Sequence, residues 1–388
     1  MNRLITCSVS LFLITLALPG CGDDPLEAVA DVTASPDVAE PVADAAEPDV
    51  EGPDDTVQPT DTATEPDAGD PDQPDIPDIA KPDVPPAPTF PQDEVLRLQH
   101  VQLRGTHNSY HQKPDFVVHG SHDYTQPPLD VQAGQLGVRA FELDVHKQGD
   151  EWQIYHIWLL DQASSCATLI ECLTVLSDWS QANPWHLPLV VWIEAKQVSG
   201  GESIDAPETI DDAIFAAVPP EVLFTPDDLR GEHATIADAL ASDGWPTLSV
   251  VRGRLMVVLL STDKSEAYRD GAPNLEGRAM FMRAEANELD EGWAAVAKHL
   301  SGNDLELAQL KHILVADNVC GADEDAADCE GELQEKLDAG YHMLKDDFPG
   351  AVEGEEYFFQ LPGDVVARCN PKTAPVSCVD GDLEGVLP

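Results

Sequence analysis

Eight short runs of apolar and β-branched residues recur through the second part of the chain, and they constrain its fold more than any other feature. They are Val101–Ser109, Val138–Val145, Trp152–His156, Leu187–Lys196, Arg254–Ser261, Ala279–Arg283, His312–Asp317 and Tyr341–Asp346. Helix-like segments lie between many of them, at Leu129–Leu136, Cys166–Gln181, Thr209–Ala217, Ile236–Ala241, Leu289–Leu300 and Glu330–Ala339. This alternation predicts an α/β fold with a single TIM-type (β/α)8 barrel over residues 90–388. The short connection between the second and third runs predicts that the barrel is imperfect.

The first residues of the chain have the pattern of a bacterial export signal. Arg3 precedes an apolar run from Ser8 to Leu18, about half the ~20 residues that a membrane-spanning helix needs. The run ends in Leu18-Pro19-Gly20-Cys21, which resembles a lipobox. We therefore expect a signal peptide over residues 1–20, a lipid anchor on Cys21, and a position on a bacterial membrane, at the outer membrane or cell surface. The alternative is an ordinary signal peptide with an incidental cysteine.

Residues 21–89 have the composition of a disordered acidic stalk. Between Gly22 and Pro88 the chain is rich in Asp, Pro, Ala, Glu, Thr and Val, and Lys81 is the single lysine. Low hydrophobicity, negative charge and frequent proline leave no apolar core to offset the entropy of folding. The whole chain has 72 acidic and 21 basic residues, a net charge of −51. This balance argues against nucleic acid as a partner and against electrostatic adsorption to anionic lipid.

Six cysteines occur in the barrel region, an even number in a chain that we expect to be exported. They are Cys166, Cys172, Cys320, Cys329, Cys369 and Cys378. Such a set predicts disulfide bonds, of which fifteen pairings are formally possible. We expect nearest neighbours to pair. The Cys-x2-Cys spacing of a zinc site is absent from the sequence.

Polar residues interrupt the first four runs near their carboxyl ends. His107 and Asn108 follow the first run, Glu142 and Asp144 lie in the second, His156 ends the third, and Glu194 and Lys196 end the fourth. The carboxyl ends of barrel strands form the active-site mouth, so polar side chains there indicate chemistry. Residues two apart share one face of a strand, which directs both carboxylates of the second run into the mouth.

Three carboxylates that converge in a cleft indicate a cation, because like charges raise one another's pKa. Oxygen donors from Glu142, Asp144, Glu194 and the amide of Asn108 suit Ca²⁺, with Mg²⁺ as the second choice. His107 and His156 add groups that titrate near neutral pH. A metal ion and two histidines together suit the cleavage of a phosphodiester.

The series His107-Asn108, Glu142-x-Asp144, His156 and Glu194 resembles the catalytic region of the bacterial calcium-dependent phosphoinositide-specific phospholipases C. The likeness is strong from about Leu96 to Lys196. It implies that His107 and His156 are catalytic and that Asn108, Glu142, Asp144 and Glu194 bind calcium.

The resemblance also implies a two-step reaction, in which the inositol 2-hydroxyl attacks phosphorus, expels diacylglycerol and leaves a cyclic phosphate. His156 is then the general acid and His107 a donor to the phosphate. The base is Glu142, Glu194 or His107 itself. Three strand-end residues, Lys196, Arg283 and Lys345, are candidates for substrate contact or for structural ion pairs.

Two other functions fit the same residues. One is a glycerophosphodiesterase or sphingomyelinase-like enzyme on the same barrel, acting on a phospholipid or a soluble phosphodiester. The other is a non-catalytic calcium-binding surface protein, although calcium binding alone needs neither histidine. We expect the folded part to be a monomer.

Overall fold

The structure is a computed structural model that describes residues 88–197, 202–298, 300–322, 324–351 and 356–384. The predicted signal peptide, Cys21 and residues 22–87 of the predicted stalk lie outside the described residues. No helix within the described ranges is long and apolar enough to cross a membrane.

The described residues form strands, α-helices and single turns of 3₁₀-helix. The strands are β1 Val101–Thr106, β2 Ala140–Gln148, β3 Glu151–Ile154, β4 Leu189–Ala195, β5 Leu223–Phe224, β6 Leu255–Leu259, β7 Met280–Ala284, β8 Val296–Lys298, β9 Ile313–Asn318, β10 Met343–Asp346 and β11 Ala367–Cys369. The α-helices are α1 Leu129–Gln135, α2 Leu169–Ala182, α3 Ile210–Ala217, α4 Pro226–Arg230, α5 Ile236–Ser242, α6 Leu248–Val251, α7 Ser265–Tyr268, α8 Gly302–Ala308 and α9 Ala326–Ala339. The 3₁₀ turns are Leu98–His100, Gly120–His122, Pro207–Thr209, Thr262–Lys264, Ala286–Glu288 and Asp380–Asp382.

Eight parallel strands close into a barrel, which confirms the predicted fold class. Their order around the barrel is β1, β2, β4, β6, β7, β8, β9 and β10, and β10 pairs with β1 again. Three further short strands pair with barrel strands without being part of the closed barrel. β3 pairs antiparallel with β2, β5 pairs parallel with β6, and β11 pairs antiparallel with β1. The carboxyl ends of the eight strands therefore meet at one mouth.

The third predicted strand exists as β3, but the prediction that it is one of the eight barrel strands was wrong. The Gly149-Asp150 turn joins β2 to β3, and Gln148 pairs with Glu151 across it. A connection of two residues can only return the chain antiparallel, because a parallel neighbour needs a crossover of a dozen or more residues. Gly149 has a φ of 62°, which suits such a turn.

The predicted helix Leu289–Leu300 was also wrong. This region contains β8, which pairs with β7 on one side and β9 on the other. Alanine favours helix in isolation, so the run Ala294-Ala295-Val296-Ala297 looked helical. Pairing with two neighbouring strands overrides that preference, and β8 takes the eighth barrel position in place of β3.

Alternate residues of the barrel strands divide between the apolar core and the mouth. On β2, Phe141, Leu143 and Val145 are fully buried in the main hydrophobic core. Glu142 and Asp144, which point the other way, are also buried. Burying two carboxylates on such a strand costs free energy, and this cost is offset only where oppositely charged groups contact them.

The segments before and after the barrel close its amino end. Arg252, just before β6, donates from Nε and Nη2 to the carboxylate of Asp93 at 2.7 and 2.6 Å, and from Nη2 to the carbonyl of Leu383. Arg139, just before β2, forms an ion pair with Glu384. Both ends of the described chain are thus fixed to the floor of the barrel.

The disulfide prediction is confirmed. The bridges are Cys166–Cys172, Cys320–Cys329 and Cys369–Cys378. Each joins nearest neighbours in the sequence.

Candidate active site

The predicted carboxylates come together at the mouth on neighbouring strands. Asp144 on β2 pairs in register with Glu194 on β4, and Glu142 lies two residues earlier on β2. Glu142 and Asp144 are 3% and 0% exposed. A cluster of this charge in a low-dielectric site requires cations close by.

Lys345 is the cation that meets Glu142. Its Nζ atom lies 2.7 Å from Oε1 of Glu142. Burial raises the pKa of Glu142, but Lys345 and His107 lower it further, to about 2. Burial in turn lowers the pKa of Lys345 against the opposing effect of Glu142. The other carboxylate oxygen, Oε2 of Glu142, is buried and accepts no hydrogen bond from the described residues.

Lys196 contacts the other two carboxylates. Its Nζ atom lies 3.3 Å from Oδ2 of Asp144 and 2.9 Å from Oε1 of Glu194. Burial and the charge of Asp144 raise the pKa of Glu194. Burial lowers the pKa of Lys196, but the two carboxylates raise it more strongly. Lys196 and Lys345 therefore face the three carboxylates, and Lys298 on β8 also lowers the pKa of Glu142.

Asn108 leaves the end of β1 with a φ of 42°, a left-handed conformation that asparagine tolerates better than most residues. Its Nδ2 donates to the hydroxyl of Tyr124 at 3.3 Å, and its Oδ1 accepts from the hydroxyl of Tyr110 at 3.4 Å. The next residue, Ser109, accepts at Oγ from the backbone N–H of Glu142 at 2.8 Å. The turn that holds Asn108 is thereby fixed to the strand that holds two carboxylates.

His107 is paired with an aspartate that the sequence did not single out. Its Nδ1 lies 2.8 Å from Oδ1 of Asp347, which follows β10. Burial lowers the pKa of His107, but the charge and hydrogen bond of Asp347 raise it more, and the net pKa is raised. The backbone N–H of Ala322 donates to the second oxygen of Asp347 at 3.1 Å. Asp347 therefore orients the ring and favours the imidazolium form.

His156 lies in the loop after β3 and has its own aspartate. Its Nδ1 is 2.9 Å from Oδ2 of Asp161, and Nε2 of His111 is 2.8 Å from the same oxygen. Burial raises the pKa of Asp161, but the hydrogen bonds from both rings lower it well below its usual range. Asp161 therefore stays ionised and holds Nδ1 of His156 in the protonated form.

The two aspartates were missed for different reasons. Asp347 follows Lys345 and Asp346 at the end of the last strand, where charged residues at a barrel mouth were a usable signal. Asp161 lies in a loop, and only the bridge between Ile157 and Asp161 brings it back under His156. No spacing rule in the sequence indicates that bridge.

The three predicted basic residues divide between two places. Lys196 and Lys345 lie among the carboxylates. Arg283 is on β7, opposite β1 in the barrel, and forms an ion pair with Glu285.

The donor set of the mouth fits a hard divalent cation. Glu142, Asp144, Glu194 and Asn108 offer only oxygen ligands, which Ca²⁺ and Mg²⁺ prefer. The buried Oε2 of Glu142 is an oxygen whose desolvation no described hydrogen bond offsets. A bound cation would supply that partner.

Comparison with known proteins agrees with the geometry. The family model described as phosphoinositide phospholipase C, Ca²⁺-dependent, matches residues 148–371, more than half of the chain. The matched range includes His156 and Glu194 and begins after Glu142 and Asp144. No curated protein matches the chain.

Two solved structures are similar to the described fold. A Ca²⁺-dependent phosphatidylinositol-specific phospholipase C from Streptomyces antibioticus has a TM-score of 0.51 at 18% sequence identity, covering 66% of this chain and 95% of that chain. A calcium-dependent phosphoinositol-specific phospholipase C from a Gram-negative Pseudomonas species, in its apo form, has a TM-score of 0.50 at 17% identity, covering 69% of this chain and 96% of that chain. At these identities the likeness concerns the fold alone.

Proposed function

Because the chain belongs to the Ca²⁺-dependent phosphoinositide phospholipase C family, we propose that it cleaves phosphatidylinositol-type phosphodiesters by attack of the inositol 2-hydroxyl on phosphorus. The products are diacylglycerol and an inositol cyclic phosphate, which water then opens. The observation that carries this proposal is the presence of two histidine–aspartate pairs beside the carboxylate cluster. Calcium binding alone requires neither pair.

His156 supplies the proton to the leaving oxygen. Asp161 accepts from Nδ1 of His156 at 2.9 Å, so the proton that the ring can give up is the one on Nε2. Fixing the tautomer and orientation of a histidine in this way is the usual task of its carboxylate partner. His107, held by Asp347, donates to the phosphate and stabilises the charge that develops on it.

Asn108, Glu142, Asp144 and Glu194 would hold the calcium ion. When bound, the ion would lower the pKa of the attacking hydroxyl and offset negative charge on the phosphate. Glu142 or Glu194 accepts the proton that this hydroxyl loses. Lys196 and Lys345 then contact both the ligand carboxylates and the anionic substrate. We also propose that the chain is exported, anchored by an acylated Cys21, and monomeric.

The direct test is product analysis with the full-length chain. Phosphatidylinositol, sphingomyelin and glycerophosphocholine are each incubated with calcium, with magnesium or with excess chelator, and phosphorus NMR identifies the products. We expect cleavage of phosphatidylinositol alone, a transient cyclic phosphate, and activity only with calcium. Cleavage of either other substrate would replace the proposed specificity, and full activity in chelator would exclude the metal site.

Ligand variants make the metal assignment specific. Asp144→Asn and Glu194→Gln each remove one unit of charge with little change of shape, so each shifts the calcium dependence of the rate to higher concentration. Glu285→Gln is the matched control, since Glu285 also pairs with a basic residue, on the opposite side of the barrel. An equal shift of the calcium dependence in Glu285→Gln would contradict the assignment of Asp144 and Glu194 as calcium ligands.

A further inference from the structure

Three histidine rings surround a single carboxylate oxygen beside the mouth of the barrel. Nε2 of His111 and Nδ1 of His156 lie 2.8 and 2.9 Å from Oδ2 of Asp161. Nδ1 of His122 lies 3.8 Å from the same oxygen. All four side chains are buried, with exposed fractions between 0% and 8%. A carboxylate that orients one catalytic ring needs to contact only that ring, so the orientation of His156 does not explain the other two histidines.

Two polar atoms of this cluster have no hydrogen bond. Nδ1 of His122 and Oδ1 of Asp161 are buried and form none with the residues that the structure describes. Buried polar atoms are almost always paired, so each exception needs a specific explanation, such as a bound ion. The ring of His122 also contacts that of His156, with centroids 5.2 Å apart. A cation bound within the cluster would give both atoms a partner.

His111 already makes the second contact that is typical of a metal-binding histidine. Its Nδ1 lies 3.1 Å from the carbonyl oxygen of Tyr124, which is an acceptor, so this nitrogen carries a proton. The lone pair of the neutral ring is then on Nε2, the atom that faces Asp161. Histidine ligands usually donate from their other ring nitrogen to a carbonyl or carboxylate, which fixes the tautomer and the direction of the ring. Nε2 of His111 is therefore oriented as a ligand.

The two loops that carry these residues are joined by backbone contacts. His111 and Ser164 form an antiparallel bridge, and the N–H of Gln112 donates to the carbonyl of Ala163 at 3.1 Å. In the first loop, His122 ends the 3₁₀ turn Gly120–His122. These contacts hold the ligand atoms close together without an ion, so little ordering entropy is lost when one binds.

We propose that this cluster is an inhibitory site for Zn²⁺ with four ligands: His111, His122, His156 and Asp161. Three imidazole nitrogens and one carboxylate oxygen form a donor set that suits zinc, whereas Ca²⁺ and Mg²⁺ prefer oxygen ligands alone. The ring of Tyr124 stacks on that of His111 at 4.3 Å, and its hydroxyl accepts from the proposed calcium ligand Asn108 at 3.3 Å. The zinc site is thus next to the carboxylate cluster and shares no ligand with it.

The distances within the cluster are close to those of a tetrahedral zinc site. With zinc bonds of about 2.0–2.2 Å, tetrahedral ligand atoms lie about 3.3–3.6 Å apart. The ligand atoms of His111, His156 and Asp161 all lie within 4.8 Å of one another. The two short contacts to Asp161 must lengthen by about half an ångström, and the contact from His122 must shorten by about as much. Adjustments of this size need only small side-chain rotations.

Zinc at this position would stop His156 from acting as the general acid. The acid form has protons on both ring nitrogens: Asp161 accepts from Nδ1, and Nε2 gives its proton to the leaving oxygen. Zinc takes the place of the Nδ1 proton, which leaves to water. The ring can then lose its Nε2 proton only by becoming an anion, which is unfavourable at neutral pH. The inhibition therefore rests on the proposed function, whereas zinc binding itself does not.

Zinc binding is measured directly on the full-length chain. Cys7→Ala and Cys21→Ala remove the two cysteines outside the disulfides, and excess calcium occupies the carboxylates of the mouth. Competition with a chromogenic chelator should then detect a single tightly bound zinc ion. His122→Gln and His111→Gln should each weaken binding by at least roughly tenfold, because even an outer partner of a metal ligand contributes about 10–100-fold. Parental affinity in both variants, shown to be folded by thermal unfolding, would overturn the proposal.

The matched control is His119→Gln in the same loop. His119 is exposed, and its Nδ1 lies 2.8 Å from the hydroxyl of Ser121. Its ring centroid is 6.2 Å from that of His122. The replacement should leave zinc affinity unchanged. An equal loss of affinity in His119→Gln and His122→Gln would place the ion at the surface of the loop and overturn the buried site.

Cobalt(II) reports the ligand set, because it replaces zinc in such sites and absorbs visible light far more strongly in tetrahedral than in octahedral coordination. The calcium-loaded parent should give intense visible bands with cobalt, and His122→Gln should weaken them. Weak bands of the octahedral kind in the parent would assign the ion to oxygen ligands and contradict the proposal.

Inhibition is measured as cleavage of phosphatidylinositol in excess calcium, relative to the zinc-free rate of the same variant. Zinc should inhibit the parent, a pyridylamine chelator that spares calcium should restore the rate, and His122→Gln should need at least roughly tenfold more zinc. Inhibition that additional calcium relieves equally in both proteins would place zinc on the calcium ligands and overturn the inhibitory site. A parent that is inactive without zinc would contradict the proposed function, and the binding measurement would still decide the zinc site.

Discussion

The Nζ atom of Lys345 lies 2.7 Å from Oε1 of Glu142, and almost no surface of either side chain reaches solvent. Their strands, β10 and β2, lie on either side of β1, so the pair crosses the first strand of the barrel. Each charge is desolvated, and each depends on the other for compensation. Removing one side chain of the pair leaves the charge of the other buried without its nearest opposite charge.

Single replacements in this pair should therefore be more harmful than the double replacement. Glu142→Gln and Lys345→Met should each lower the free energy of unfolding by about 3–5 kcal/mol, and the double variant should recover much of the loss. Urea unfolding in excess chelator measures this. The exposed pair Lys113–Asp123 is the control, whose coupling should stay below about 1 kcal/mol. Strictly additive losses at Glu142 and Lys345 would show that the two charges do not support one another.

The catalytic histidines should act in the transition state and not in metal binding. His107→Ala and His156→Ala should each lower kcat by at least ~100-fold, the usual scale for acid–base groups, with little change in calcium affinity. Steady-state kinetics and calcium titration measure the two effects separately. His233→Ala is the control, because His233 pairs with the exposed Asp243 away from the carboxylate cluster. Near-parental rates in both active-site variants would leave only a calcium-binding role.

Stability should fall as the solution is acidified, partly because of His342. Its Nδ1 accepts from the N–H of Leu314 and its Nε2 donates to the carbonyl of Gln99, so the ring is bonded in its neutral form. Burial lowers its pKa to about 3. A depressed pKa means that the stabilisation is complete above the unfolded value near 6.5 and is lost as pH falls toward 3.

Unfolding free energies between pH 6.5 and 5 test this directly. His342→Gln should lower stability at pH 7 yet reduce the pH slope by up to ~1.4 kcal/mol per pH unit, the value for one proton. A parental slope in His342→Gln would mean that this ring is not kept neutral by the fold.

Membrane attachment of the native protein should depend on Cys21. Cys21→Ala should release the chain from the membrane fraction of the producing cell, because the acyl chains provide the durable part of the attachment. Fractionation and mass analysis of the amino-terminal peptide measure the change, and catalytic activity of the released chain should be unaltered. Undiminished membrane association would contradict the anchor.

The sequence was sufficient for the architecture because most barrel strands carry strong local signals. Leu255–Leu259 is apolar throughout and Leu189–Ala195 is apolar except for Glu194, as is typical of strands buried on both faces. β8 is different, since three residues, Val296–Lys298, owe their conformation to pairing on both sides. β3 had the right local conformation, but its place in the sheet depends on the turn before it. Local pattern thus predicted strands better than it predicted their neighbours.

For the candidate site, too, local sequence pattern predicted which residues lie on strands but not which residues they contact. Glu142, Asp144 and Glu194 were predictable because the strands that carry them also place them at the mouth. Asp161 and Asp347 approach their histidines through a loop bridge and through the closure of the last strand onto the first, and both relations are tertiary. The ion pairs of Lys196 with Asp144 and of Lys345 with Glu142 likewise depend on which strands become neighbours.

The closure of the amino end has a practical consequence for handling the enzyme. Phe90 packs under the guanidinium of Arg252, and Glu384 accepts from Arg139 and from the N–H of Leu187, all next to the starts of strands. A linker, label or solid support joined near either Phe90 or Glu384 is therefore attached at the opposite end from His156. Material immobilised through these positions should keep its mouth accessible to substrate from the side of the solution.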